Sequence, residues 1–297
     1  MKIQFLNGGL ANQTFQYIFA RYYELSHPGQ TMYLDDSYFA LNTVHNGYEL
    51  EKVYTGVNPH MLSSCFDADV WQYLLEQKKA KKSMAQIFKD NGMETCMIAE
   101  TANHKDFNPF DGKIWETPTM EYNPEILDYE EYENVYFHGY WLNSAYFKAY
   151  RDVFLREFAF LPLEDEQNLY YQNRILAENS VSLHVRRGDY ITEHLALESA
   201  LIADYVRQFF AQVTGEWTLF VFSDDIAWCR EHEKELSLHL ADDIVYIEGN
   251  MHGNNYKDLQ LMSRCKAMIM SNSSFCYLAA LLNQRAEHIL NPTVWTV

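Results

Sequence analysis

No apolar run in this chain approaches the roughly 18 residues that a membrane-spanning helix needs. Met1 and Lys2 lead straight into a short strand and then into Asn7 and two glycines, which is not the pattern of a signal peptide. The five cysteines are irregularly spaced and none forms a CxxC pair, which argues against a disulfide framework or a zinc site and fits a reducing compartment. Positive charge is scarce: 23 Lys and Arg face 41 Asp and Glu, for a net charge of −18, so the surface on average repels nucleic acid and anionic membranes. The one basic run, QKKAKK at Gln77 to Lys82, reads as the solvated face of a helix rather than a binding patch. There is no GxxxxGK[ST], no HExxH, no DxDxDG and no GxGxxG with its acidic partner. The aspartate pairs at Asp35-Asp36, Asp224-Asp225 and Asp242-Asp243 are adjacent, not D-x-D, so no metal is expected. The N-x-S/T sequons at Asn12 and Asn272 lie in loops that read as functional, where a glycan would block them; this argues against a secretory route. The chain has no internal repeat and no low-complexity tract.

What is present suits two packed domains of about 150 residues each in a chain of 297. The 22 tyrosines are of a type that contacts sugars and flat ligands, although core packing would absorb most of them. Ile3 to Leu6 reads as a buried strand, NGGLANQ as a turn, Thr14 to Ser26 as a helix and Thr31 to Asp35 as a second strand, the seed of a parallel sheet. Between Met61 and Tyr132 the pattern is weak: helical over Val70 to Asp90 and loop-like over Thr101 to Pro124. Val135 to Trp141 reads as a strand, followed by a helix capped by Asn143 or Ser144. LPLEDEQ, Leu161 to Gln167, reads as a linker, giving domains 1–162 and 163–297. In the second half strands and helices alternate, the mark of a doubly wound parallel sheet.

In such sheets ligands bind beyond the carboxyl ends of the strands. Four polar clusters occupy such ends: NGGLANQ in the first half, and HVRRGDY, FSDD and SNSSF in the second. Arg186 and Arg187 can grip a phosphate at any working pH, or pair with Asp189 or a neighbouring glutamate. The serines of SNSSF can cap the helix that follows, cradle an anion at its start, or do both. Asp224 and Asp225 can accept from a ribose or a guanine edge, or cap the next helix.

Six stretches occur in one order: GGLANQTFQY, HNGYEL, GYWLNSAYF, HVRRGDY, FSDD and SNSSF, starting at Gly8, His45, Gly139, His184, Phe222 and Ser271. Together they resemble the bacterial α-1,2-fucosyltransferases of glycosyltransferase family 11, from Lys2 to about Trp295 and most weakly between Met61 and Tyr132. The resemblance implies an α/β, GT-B-like fold, two Rossmann-like domains with a cleft between them. It implies GDP-fucose as donor, inversion at the anomeric carbon, no metal or cofactor, and transfer to the 2-hydroxyl of a galactoside in a glycan acceptor. By position, His184 would lie near the guanosine and Arg186 would grip the diphosphate, with Arg187 orienting the loop. Asp224 or Asp225 would face guanine or ribose; Asn272, Ser273, Ser274 and Phe275 would lie near the phosphates and fucose. Asn12 and Gln13, on the acceptor side, would face the sugar. Ala11 departs from the glycine of the pattern, which restricts its loop to negative φ. Candidates for the base that takes the acceptor proton are Glu193, His194, Asp36 and His45, each with an ordinary exposed or capping role as its alternative. Two rival readings keep the fold: a transferase using another nucleotide sugar, and a binding protein without turnover. The expected setting is cytoplasmic, at most peripheral to a membrane.

Overall fold

Runs such as TLFVF and TCMIAE are buried along their whole length. That is the pattern of parallel strands covered by helices on both faces. The computed structural model describes residues 1–43, 46–102, 109–251 and 253–292. The chain divides into two compact units, Met1–Ala159 and Phe160–Val297.

In the first unit five parallel strands are β1 (Lys2–Phe5), β2 (Met32–Asp35), β3 (Thr95–Glu100), β4 (Lys113–Thr117) and β5 (Asn134–His138). Their order is β2-β1-β5-β3-β4, so the winding reverses between β1 and β5. In the second unit the five are β6 (Ser180–Val185), β7 (Thr218–Ser223), β8 (Asp243–Tyr246), β9 (Ala267–Ile269) and β10 (His288–Leu290), in the order β10-β9-β6-β7-β8. Here the reversal lies between β6 and β9. Both units are therefore Rossmann-like, the paired composition of a GT-B chain. The second core packs Val181, Leu183 and Val185 of β6 against Ile202, Val206 and Phe209 of the helix Ser199–Gln212.

The first helix runs Leu10–Ser26, four residues longer at its start than the periodicity predicts. Gly9 is extended (φ −80°, ψ 176°) and its carbonyl already accepts from the Gln13 N–H at 3.0 Å, so the turn ends there. Ala11 thus sits in the first helical turn, where negative φ is required and a methyl group favours the helix. The helix predicted after Asn143 is capped by that residue, whose side chain accepts from the Ala145 N–H at 2.9 Å, but it breaks at Tyr150 into Ser144–Ala149 and Arg151–Glu157.

The middle of the first unit holds β3 and β4, where the sequence reads as a gap and a loop. β4 is an edge strand with a largely exposed KIWET sequence, and β3 ends in a glutamate. Glu100 is 1% exposed, which its type does not suggest. Its carboxylate accepts the N–H groups of Met120 (3.0 Å), Tyr140 (2.7 Å) and Trp141 (3.1 Å). It thereby holds the turn in which Trp141 adopts φ +56° and lies flat on Phe19, ring centroids 4.1 Å apart. All five cysteines are free. Among the described residues no helix is long and apolar enough to cross a membrane.

Glu100→Ala should cost about 3 kcal/mol, because three backbone donors lose a charged acceptor in a buried turn. Urea unfolding with an unchanged m-value checks it; a loss under 1 kcal/mol would show that the turn is held by Trp141 packing instead.

Candidate active site

β6 is the central strand of the second sheet, and its partners on both sides run parallel to it. His184 pairs with Phe222, Val185 with Ser223 and Leu183 with Ile269. The loops RRGDY, DD and SNSSF therefore leave the same sheet edge side by side, at the point where the winding reverses.

The strand stops at Val185, and Arg187 (φ −128°, ψ −76°) turns the chain into the short helix Gly188–Thr192. Strand alternation thus does not decide where the two arginines point; their partners do. Arg186 sits between Asp189 (2.7 Å) and Asp224 (2.9 Å), with its guanidinium over the Tyr190 ring at 5.4 Å and its side chain 33% exposed. Tyr190 in turn lies beside Ser273, which places the arginine next to the start of the helix Ser274–Leu282. Arg187 lies against the Trp228 ring at 3.6 Å, with Asp225 at 3.4 Å from its Nε. Such stacking suits a planar guanidinium and holds Arg187 against the helix that carries Trp228.

Asp224 ties this arrangement together. Its Oδ1 accepts the Arg187 N–H at 2.9 Å while Oδ2 faces Arg186. Gly188 permits the approach, since a Cβ there would lie 2.6 Å from Asp224 Oδ2. Asp225 caps the helix Ile226–Glu231 by accepting the Trp228 N–H at 3.1 Å. Both carboxylates expected to face a base or ribose are thus engaged by the protein, and the cap falls on the second aspartate.

In SNSSF, Ser273 caps its helix by accepting the Phe275 N–H at 3.3 Å. Asn272 donates to the Leu195 carbonyl at 2.8 Å, and its Oδ1 is buried with no partner among the described residues. Ser274 and Phe275 are partly exposed at the same edge, and the Phe275 ring lies 6.0 Å from the His184 ring. His184 is buried, with Nδ1 2.7 Å from Ser271 Oγ. Burial, and secondarily the Arg186 charge, push its pKa down to about 3, so it is a neutral imidazole under the arginine loop.

In the first unit Gln13 is turned into the protein. It is 0% exposed; its amide donates to the carbonyls of Gly8 and Gly47, both at 2.9 Å, and accepts the Glu49 N–H at 2.9 Å. Its work is to tie the NGGLANQ turn to the YEL segment. Asn12 is partly exposed in the first turn of the helix Leu10–Ser26, its Nδ2 2.8 Å from where a Cβ on Gly8 (φ +80°) would lie. Of the candidate bases, Glu193 and His194 are exposed beyond the short helix, and His45 lies outside the described residues. Asp36 accepts the Ser63 N–H (3.1 Å) and hydroxyl (2.7 Å), and burial raises its pKa. Among the described residues no cluster of three or more His, Cys, Asp or Glu could hold a metal ion.

The family model of glycosyl transferase family 11 matches residues 71–296, which contain the arginine loop, the aspartate pair and SNSSF. The chain belongs to that family. Over 98% of its length it is 31% identical to the α-1,2-colitosyltransferase of Escherichia coli, covering 90% of that protein. It is 29% identical, again over 98%, to the Escherichia coli O-antigen biosynthesis glycosyltransferase WbnK, of which it covers 93%. The galactoside α-(1,2)-fucosyltransferase 2 of Oryctolagus cuniculus matches 48% of the chain at 27% identity, over 42% of the rabbit protein. The crystal structure of NodZ α-1,6-fucosyltransferase soaked with GDP-fucose shares the fold at a TM-score of 0.53, 14% identical, covering 95% of this chain and 92% of that one. As a family 11 member the chain carries its arginine pair at a strand end fixed by two carboxylates and one glycine, features set by backbone geometry as much as by side-chain chemistry.

The folded-state pKa of His184 lies below its ordinary 6.5, so the unfolded chain binds the extra proton. Its contribution to stability is complete above about pH 6.5 and is lost as pH falls toward 3. Urea unfolding between pH 6 and pH 4 should show a loss steeper than in His184→Asn by about 1.4 kcal/mol per pH unit. Parallel slopes would show that the imidazole charges readily in the fold.

Proposed function

We propose that this family 11 enzyme transfers L-fucose from GDP-fucose to the 2-hydroxyl of a galactoside, with inversion and without a metal. The observation that carries the reading is Arg186, held by Asp189 and Asp224 at the reversal point of the second sheet and set through Tyr190 next to the start of the helix Ser274–Leu282. A fixed guanidinium and a helix start on one sheet edge suit a leaving diphosphate.

In the reaction the acceptor O2 forms a bond to C1 of fucose. The bond from C1 to the β-phosphate oxygen breaks, and its electron pair leaves with GDP. The acceptor hydroxyl gives up its proton to a base or to water. Negative charge grows on the β-phosphate as C1 becomes oxocarbenium-like, and Arg186 meets that charge without having to move. Arg187, stacked on Trp228, fixes the loop whose N–H Asp224 holds. His184 stays neutral and lends its shape and one hydrogen bond, so it adds no charge to the donor pocket. The five free cysteines support a reducing, cytoplasmic setting.

One observation favours a second donor. The α-1,2 linkage recurs in the names of the relatives, but the sugar does not: one is a colitosyltransferase and another a fucosyltransferase. Colitose is fucose without its 3-hydroxyl, so the two donors differ by one hydrogen-bonding group.

The decisive test offers GDP-fucose and GDP-colitose, each with a β-galactoside, and measures kcat/KM. A ratio above ten for fucose supports the first reading; the reverse ratio moves the enzyme to the deoxy sugar. Failure of both donors across a broad acceptor panel, with folded protein, would refute the transferase reading. Arg186→Ala should lower kcat on the order of a hundredfold or more, the size expected for one preorganised donor to a developing oxyanion. Activity within tenfold of wild type would remove Arg186 from the phosphates. Gly188→Ala should act in the same direction by displacing Asp224, raising the KM for donor.

A further inference from the structure

The basic run QKKAKK is largely solvated, as its composition suggests, but Lys78 within it is nearly buried. The helix Ala68–Lys79 and the turn after it deliver Lys78, Lys79 and Lys81 to the wall of a cavity of about 450 Å³ within the first unit. Phe5 of β1 and Tyr136 and His138 of β5 form another wall, with Asn7 and Tyr38 beside them. Phe5 and His138 are the last residues of their strands, so the cavity opens at the carboxyl edge, in the crevice between β1 and β5. That crevice is where the winding of the first sheet reverses, the counterpart of the β6/β9 reversal that carries the arginine site in the second. Open parallel sheets bind ligands at this point.

The charge of the cavity runs against that of the chain. In a protein of net charge −18, three lysines line it, and no carboxylate stands among its described lining residues. Lys78 is the anchor. Its side chain is only 9% exposed, and its ammonium lies 3.6 Å from Asp35 Oδ2 and 4.8 Å from the Phe5 ring centroid. That Asp35 oxygen also accepts the Tyr136 hydroxyl at 2.6 Å, and its partner oxygen accepts the Ser37 N–H at 3.0 Å. The carboxylate is thus shared, and an ammonium with three donors keeps capacity for a further acceptor. Lys79 pairs with Glu76 at 2.7 Å, but both side chains are more than half exposed, and such a pair is worth little against a competing anion. Lys81 has no side-chain partner among the described residues; it follows the helix at φ +62°, which turns it toward the same cavity. Tyr38, half-buried, and Asn42 supply an aromatic surface and an amide of the kind that receives a sugar.

From this we infer that the β1/β5 cavity is an acceptor subsite, and that it selects a glycan carrying an oxyanion, either a phosphate or a carboxylate, beside the galactosyl residue to be modified. The inference rests on the transferase reading above and adds the charge class of its acceptor. Lys78, braced by Asp35, forms the floor of the anion site; Lys79 and Lys81 form its rim. Asp35 orients the Lys78 ammonium and offsets its charge, so the excess positive charge of the subsite comes from Lys79 and Lys81 at the rim.

The test compares three acceptors built on one β-galactoside: neutral, phosphorylated and uronate-bearing. For the wild type, kcat/KM for at least one charged acceptor should exceed the neutral value tenfold or more, and the excess should shrink with added salt. In Lys79→Glu/Lys81→Glu, two exposed positions whose change the fold tolerates, that ratio should fall at least tenfold. A phosphate preference and a uronate preference each support the inference and identify the source of the charge. Equal use of all three acceptors, or a ratio unmoved by the double charge reversal, overturns it. Acceptor binding is measured in parallel by calorimetry without donor. If no donor is turned over yet the charged oligosaccharide binds wild type and not the double variant, the transferase reading fails and the subsite stands. If turnover occurs but binding ignores charge, the subsite fails alone.

Discussion

The carboxylate of Asp224 is the contact on which the arginine site depends. One oxygen receives the main-chain N–H of Arg187 and the other the guanidinium of Arg186. Backbone path and side-chain charge are therefore set by one group on a neighbouring strand end. The geometry works only because β6 and β7 run parallel and in register, His184 beside Phe222 and Val185 beside Ser223, which puts the residue after Ser223 next to the residues after Val185. It also needs Gly188, where a side chain would collide with that oxygen. A charged hydrogen bond that fixes its partner's conformation stores the cost of ordering in the fold rather than in the binding step.

The same logic appears in the first unit with different residues. Glu100 at the end of β3 holds a turn by three main-chain donors, and Asp35 at the end of β2 holds a lysine, a tyrosine and a backbone N–H. In each case a carboxylate closes a strand and organises the chain that follows. An excess of acidic residues thus has a structural use at strand ends, beyond keeping the surface negative.

This use also explains what was legible in the sequence. The second unit's strands are short apolar runs between turn residues, and its site loops follow them directly, so both could be read in order. HVRRGDY, FSDD and SNSSF were identifiable because arginines and serines at the ends of apolar runs are conspicuous. The partners of those residues were not, since Asp224 and Arg187 meet through register 37 positions apart. β3 and β4 escaped for two reasons: KIWET is an exposed edge strand, and the buried Glu100 looks like an ordinary solvent-facing glutamate until its donors 20 to 41 positions away are known. Gln13 reads as a ligand contact by motif and is a structural tie by burial. The lysines of QKKAKK look solvated by composition, and Lys79 and Lys81 are exposed, yet with Lys78 they line a cavity by topology.

The helix Ile226–Glu231 has six residues, too few to persist alone. Its start is capped by Asp225, and its first turn carries Trp228, on whose ring Arg187 rests. The helix needs the loop to cover its indole, and the loop needs the helix to present it. Neither is a rigid scaffold for the other. This sheet edge is a cooperative unit whose two halves form or fray together, so its order belongs to the pair and to no residue within it.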